Sequence, residues 1–78
     1  MADLFPPTLD DQIQSVEREI GYRERVYPRR VAARQMTQAL ADREISRMRA
    51  VLETLQSYRR GVAHLRALGV PEVDGGES

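Results

Sequence analysis

The side chains that could perform catalysis are few, and none has the neighbours that catalysis requires. His64 is the only histidine, and no cysteine or carboxylate stands near it at the spacing of a metal site or a catalytic pair. The carboxylate pairs Asp10–Asp11 and Asp42–Glu44 lack the Glu-x-x-His companion of a di-metal bundle. Three serines lie on the predicted helices without a neighbouring base: Ser15, Ser46 and Ser57. No glycine-rich phosphate loop is present. We therefore expect no enzyme activity, no cofactor and no metal.

Arginine is the residue type that could support binding. Six arginines and two glutamates lie between Arg18 and Arg34, which gives this segment a local charge of +4, and two tyrosines are interleaved with them. Arginine and tyrosine are enriched at the hot spots of protein interfaces, and they can also contact phosphates and stack on bases. The candidate partner-binding residues are Arg23, Arg25, Tyr27, Arg29, Arg30 and Arg34. An alternative is that these arginines only pair with acidic groups inside the protein or its dimer.

Two amphipathic helices must position these arginines. Apolar residues at three- and four-residue spacing form one stripe over residues 9–20 and a second over residues 40–65. Each stripe must be buried, and the two can cover each other in an antiparallel two-helix hairpin, so the predicted fold class is all-α. The core and dimer residues predicted from the stripes are Ile13, Val16, Ile20, Ile45, Met48, Val51, Leu52 and Leu55.

Cap residues predict where the helices begin. Thr8 with Asp11 three residues later has the pattern of a capping box, and the two prolines that precede Thr8 disfavour helix. We predict a first helix over about residues 8–34, a turn around residues 35–37, and Thr37 as the cap of the second helix.

Pro28 interrupts the pattern of the first helix. A proline inside a helix removes one backbone hydrogen bond, so we expect a kink near Tyr27 and Pro28. An alternative ends the first helix at Val26 and makes residues 28–34 a separate short helix.

Glycines mark the end of the second helix. Gly69 and Pro71 should terminate it. Gly61 follows two arginines, which is also a C-terminal pattern, so the regular helix is expected either to continue through it or to stop there and resume as a turn over residues 62–68. The predicted organisation is an extended arm over residues 1–7, a helical hairpin over residues 8–68 and a disordered acidic tail over residues 69–78.

The apolar surface of the second helix is wider than one partner helix can hide. Leu40, Val51, Tyr58 and Val62 lie beside its main stripe. A two-fold dimer packed as a four-helix bundle would cover this surplus, and so short a chain is commonly stabilised by oligomerisation. The alternative is a monomer in which Leu4 and Phe5 of the N-terminal arm, the kinked arm over residues 28–34 and the turn over residues 62–68 fold back over it.

Composition restricts compartment and partners. The formal net charge is zero, which argues against non-specific binding to nucleic acid or membranes. There is no cysteine, and no apolar run approaches the roughly 18 residues of a membrane span or follows a basic N-terminus as in a signal peptide. We therefore expect a cytoplasmic protein.

The segments FPPTLDDQIQSVEREIGYRERVYPRRV and MTQALADREISRMRAVLETL resemble a group of short uncharacterised proteins of bacteriophages and prophages of Gram-negative bacteria. The resemblance covers roughly residues 4–56 and carries no functional residues. It implies an accessory protein encoded by a phage and working in the cytosol of the host cell.

We therefore expect a non-catalytic accessory protein that binds itself as a homodimer and binds a host or phage protein. The alternatives are a nucleic-acid-binding factor that uses the same arginines over Arg18–Arg34 and a purely structural helical dimer.

Overall fold

The computed structural model describes residues 6–69, which form two α-helices, α1 (Leu9–Ala32) and α2 (Gln38–Ala67), and no strand. The all-α prediction is confirmed. Three predictions concern residues outside the described range: the packing of Phe5, the termination of the second helix by Pro71 and the disorder of residues 70–78.

The start of α1 is fixed by a complete capping box. The Thr8 hydroxyl accepts a hydrogen bond from the Asp11 backbone N–H at 3.1 Å, and the Asp11 carboxylate accepts one from the Thr8 backbone N–H at 3.0 Å. Two helix N–H groups that lack helical partners are thereby satisfied. Thr37 caps α2 in the same way, its hydroxyl accepting from the Leu40 N–H at 3.1 Å. Both predicted N-caps are confirmed.

The first helix ends earlier than predicted. It stops at Ala32 because Arg34 adopts a left-handed backbone with φ of 60°. The Arg34 N–H donates to the Val31 carbonyl, and the Gln35 N–H donates to the Arg30 carbonyl at 2.8 Å. These two bonds form a Schellman motif, which glycine ordinarily supplies. The prediction of helix up to Arg34 is therefore wrong by two residues.

Neither Pro28 nor Gly61 ends a helix. Pro28 lies inside α1, so the alternative of a helix ending at Val26 is wrong, while the kink remains a prediction. Gly61 lies inside α2, which continues to Ala67, so the alternative of a break at Gly61 is wrong as well. At the end of α2, Gly69 has a φ of 80°, and its N–H donates to the Arg66 carbonyl at 3.0 Å. Gly69 therefore ends α2 as predicted.

Ion pairs between the helices run in the order expected of an antiparallel hairpin. Arg23 lies near Glu44 close to the turn, and Asp10 at the start of α1 pairs with Arg59 near the far end of α2 at 3.0 Å. Within residues 6–69, neither helix is both long and apolar enough to cross a membrane.

The core of the hairpin is thin. Of the described residues only four are buried: three on α1 at seven-residue intervals and one small residue on α2, namely Ile13, Ile20, Tyr27 and Ala41. The larger apolar residues of α2 are half-buried or exposed. A single α1 thus covers only part of the apolar surface of α2.

Candidate functional site

Arg23 links the two helices instead of facing outwards. Its guanidinium donates to the Glu19 carboxylate at 2.8 Å, to the Glu44 backbone carbonyl at 3.1 Å, and lies 3.8 Å from the Glu44 carboxylate. The side chain is only 20% exposed. The hydrogen bond that Arg23 donates to Glu19 raises the pKa of Arg23 above its ordinary value, although burial acts in the opposite direction. Arg23 therefore pairs with acidic groups inside the protein, as the alternative interpretation of the arginines expected.

Tyr27 belongs to the core. It is 8% exposed, and the guanidinium groups of Arg23 and Arg30 each lie 5.9 Å from the centre of its ring. These distances are typical of cation–π contacts. Tyr27, one of the candidate partner-binding residues, thus packs inside the hairpin with two arginines beside its ring, and its contact with a partner stays a prediction.

The side of α1 that faces away from the core carries a row of basic and aromatic side chains. Tyr22 follows the buried Ile20 by two residues, about 200° around the helix, and Arg29 follows the buried Tyr27 by the same step. Residues at spacings of four, three and four share this outward side. We call this set the arginine row, and it consists of Arg18, Tyr22, Arg25 and Arg29.

The side chains of the arginine row are exposed to solvent. The Arg25 guanidinium lies 5.9 Å from the centre of the Tyr22 ring, and Tyr22 is 43% exposed. Arg18 donates to the Ser15 hydroxyl at 3.3 Å. Within residues 6–69 no ion pair involves an arginine of the row. Of the three glutamates next to the row in sequence, Glu19 pairs with Arg23 and Glu24 with Arg49, while Glu17 is exposed. The row is thus a positive surface, and two of its three neighbouring glutamates are engaged elsewhere.

Sequence reasoning selected only part of this row. Arg25 and Arg29 were among the candidates, whereas Arg18 and Tyr22 were not. The signal that could have found them is the spacing itself, since all four members lie on the side of α1 opposite the Ile13–Ile20 stripe. Of the remaining candidates, Arg30 is exposed beside Tyr27, and Arg34 is exposed in the turn.

The predicted core and dimer residues divide into three groups. Ile13 and Ile20 are buried, and Val51 is 44% exposed. The half-buried group consists of Val16, Ile45, Met48, Leu52 and Leu55. Ala41, four residues before Ile45 on the same face, is buried but was not among the predicted core residues, although its spacing from Ile45 indicates a core position.

A second surface lies about a quarter-turn around α2 from the buried Ala41. It is an apolar stripe with spacings of four, three, four and three residues, formed by Val51, Leu55, Tyr58, Val62 and Leu65. Three of its members are substantially exposed: Val51 at 44%, Tyr58 at 62% and Leu65 at 46%. Beside it, a shallow apolar depression is lined by Ala50, Val51, Thr54 and Leu55.

The residues first considered for catalysis are dispersed. His64 is exposed near the end of α2, and the hydroxyls of Ser15 and Ser57 accept hydrogen bonds from Arg18 and Arg60. In the part of the chain that the structure describes, no three histidine, aspartate or glutamate side chains are grouped so as to hold a metal ion. The two surfaces, the arginine row and the apolar stripe, are therefore the features that a function could use.

Comparison with known proteins finds no relative. No protein-family model, no curated protein and no solved structure matches this chain.

Proposed function

We propose that the protein acts by binding another protein, without catalysis, and that the arginine row on α1 receives an acidic surface of that partner. The observation that carries this proposal is the exposed row itself, in which no arginine has an ion-pair partner within residues 6–69. Arginine side chains that are held on a helix and supported by an aromatic ring match the composition of protein interface hot spots. A carboxylate-rich surface would supply the bidentate partners that guanidinium groups favour.

The extent of the row favours a protein over nucleic acid. The twelve residues from Arg18 to Arg29 span about 16 Å of helix, which reaches few phosphates, and strong phosphate binding relies on many contacts. Asp11 lies seven residues before Arg18 and therefore continues the same outward side with a negative charge. The formal net charge of the whole chain is zero. Nucleic-acid binding through the same arginines is the second candidate, and salt dependence separates the two.

The proposal also includes a dimer and a cellular role. Two hairpins form a two-fold dimer, a four-helix bundle in which each first helix bends at Pro28, where the Glu24 carbonyl lacks its usual N–H donor. The resemblance to phage and prophage proteins supports an accessory role in the cytosol of a Gram-negative host cell.

Affinity capture from the lysate of a Gram-negative bacterium, with and without nuclease, tests the function. The bait proteins are the natural chain, an Arg25→Ala/Arg29→Ala variant and an Arg43→Ala control. Arg43 is an exposed arginine of α2 with no ion pair within residues 6–69, so the control removes the same group from another surface.

We expect a partner that the control retains and the double variant loses, whose purified form binds with weak dependence on salt. Capture that disappears on nuclease treatment, or affinity that falls log-linearly and steeply with salt, supports the nucleic-acid candidate instead. Equal capture by all three baits would disprove a role for the row.

A further inference from the structure

We propose that the apolar stripe of α2 docks against the same stripe of a second copy, with the two α2 helices antiparallel and Tyr58 at the two-fold axis. This inference rests on the dimer included in the proposed function and specifies which surface forms it. α1 does not cover the apolar stripe, since Val51, Tyr58 and Leu65 are 44%, 62% and 46% exposed. Exposed apolar side chains that are contiguous along a helix mark an interaction surface.

The spacing of the stripe is nearly symmetric about its centre. Val51 and Leu65 each lie seven residues from Tyr58, while Leu55 and Val62 lie three and four residues from it. An antiparallel pairing centred on Tyr58 therefore sets Val51 opposite Leu65 of the second copy and brings Leu55 to within one residue of the position opposite Val62. Each layer then joins a valine to a leucine, and this alternation of small and large side chains is how facing helices interdigitate.

In this pairing, the depression beside the stripe can hold a side chain of the second copy. It is lined by Ala50, Val51, Thr54 and Leu55, and a hole formed by four residues of one helix holds one side chain of the facing helix. The antiparallel pairing brings Leu65 of the second copy to it. Gly61 lies on the same flank of α2 as Ala50 and Thr54, and an added side-chain carbon there would meet nothing within 4 Å of its own chain. Small residues along this flank allow the two helices to approach closely.

Charged residues in line with the apolar stripe favour an antiparallel over a parallel pairing of the two α2 helices. Glu44 lies seven residues before Val51 and continues the line of the stripe, and it forms an ionic cluster with Arg23 and with Arg47, the latter at 3.2 Å. A parallel pairing would set this cluster against its own copy and would place like charges together in a partly buried layer. In the antiparallel pairing the cluster falls beyond Ala67 of the second copy, where α2 ends, and it stays in contact with water.

The length of α2 also favours this surface. Asp10 at the start of α1 pairs with Arg59, so the last two turns of α2 extend past the first turn of α1. Leu65 lies in this extension and is 46% exposed. A second α2 running in the opposite direction supplies the cover that α1 does not give there.

Single-cysteine cross-linking tests the pairing, because the natural chain contains no cysteine. The variants are Tyr58→Cys, Val51→Cys and Leu65→Cys, with Ser46→Cys as an exposed control on another side of α2. Each is oxidised mildly and treated in parallel with a short bis-maleimide. Light scattering coupled to size exclusion gives the mass of the unlinked protein, and circular dichroism checks that each variant keeps its helices.

We expect a dimer mass, with Tyr58→Cys cross-linking at least about tenfold faster than Ser46→Cys because contact raises the effective concentration of the thiols. Val51→Cys and Leu65→Cys should each link poorly alone and efficiently when mixed. If Tyr58→Cys loses helicity, the mixture of the other two variants provides the same test.

Three results would overturn the inference. Self-linking of Val51→Cys as fast as that of Tyr58→Cys means a parallel pairing. A dimer mass with no preference over Ser46→Cys means that another surface forms the dimer. A monomer mass removes the dimer as well, whereas partner binding by the arginine row is measured separately and would be unaffected by any of the three.

Discussion

The Arg23 guanidinium donates a hydrogen bond to the backbone carbonyl oxygen of Glu44 at 3.1 Å, joining α1 to α2 close to the turn. The same group donates to the Glu19 carboxylate at 2.8 Å. One side chain thus connects its own helix to the backbone of the other. This contact distinguishes Arg23 from the neighbouring arginines that face outwards.

Replacing Arg23 with alanine should destabilise the hairpin by about 1–3 kcal/mol, because hydrogen bonds that involve charged groups are worth about 1.5–3 kcal/mol and Arg23 is partly exposed. Arg23→Lys should recover only part of the loss, since an ammonium group cannot reproduce the fork of the guanidinium. Urea unfolding followed by circular dichroism measures the change. Arg43→Ala, an exposed control, should stay within about 0.5 kcal/mol of the natural chain. An equal loss in both variants would contradict a specific role for Arg23.

Arg34→Gly should stabilise the protein by about 1 kcal/mol, because the left-handed backbone at φ of 60° is unfavourable for a residue with a side chain. For a domain of this size, that change raises Tm by about 4–8 °C. Arg43→Gly, the same substitution inside α2, should have the opposite sign and cost about 1 kcal/mol. Thermal melts at matched protein concentration report both. A lower Tm for Arg34→Gly would show that its side chain makes a stabilising contact.

Gly21→Ala and Gly61→Ala should each stabilise their helix by about 0.5–1 kcal/mol. Both glycines lie inside helices, and a Cβ at either position would meet no atom within 4 Å of its own chain. Gly69→Ala is the contrasting variant, because its φ of 80° is strained for alanine, and it should lower Tm. Because the proposed dimer brings the two α2 helices close together beside Gly61, Gly61→Ala should also lower the dimer mass while Gly21→Ala does not. An unchanged dimer mass would show that Gly61 is not packed against the second copy.

Met48→Asp and Val51→Asp should have different consequences although they stand three residues apart. Met48 is half-buried in the hairpin, so a carboxylate there should unfold it, since an unpaired buried charge costs several kcal/mol. Val51 is 44% exposed, so Val51→Asp should keep its helices as a monomer. Circular dichroism and light scattering together separate loss of fold from loss of assembly. A dimer mass for Val51→Asp would place the interface elsewhere.

Local signals allowed the helices to be predicted from the sequence, because the signals and the structure have the same physical cause. Thr8 and Thr37 supply oxygens to unpaired N–H groups, and Gly69 adopts the left-handed backbone that ends α2. The end of α1 was predicted two residues late because its left-handed position is occupied by Arg34, which gives no such signal. Gly61 was an ambiguous signal, since its cost of about 1 kcal/mol is small beside the length of α2.

The members of the arginine row could not be predicted from composition, because composition does not show which arginines pair with acidic side chains. A local charge of +4 does not reveal that Glu19 pairs with Arg23 while Glu24 reaches across to Arg49. The burial of Tyr27 could have been predicted, because it lies seven residues after Ile20 on the same face. The arginines that face solvent can be identified only after the buried face of α1 has been assigned.

The turn over residues 33–37 also sets the order in which the hairpin can form. The contacts between helices close progressively longer segments: 21 residues for Arg23 with Glu44, 25 for Glu24 with Arg49 and 49 for Asp10 with Arg59. The entropy lost on closing a loop grows with its length, so the contact nearest the turn is the first that the chain can hold. We therefore expect the contacts between the helices to form in order from Arg23 towards Asp10, in the microsecond-to-millisecond range of helical proteins with local contacts.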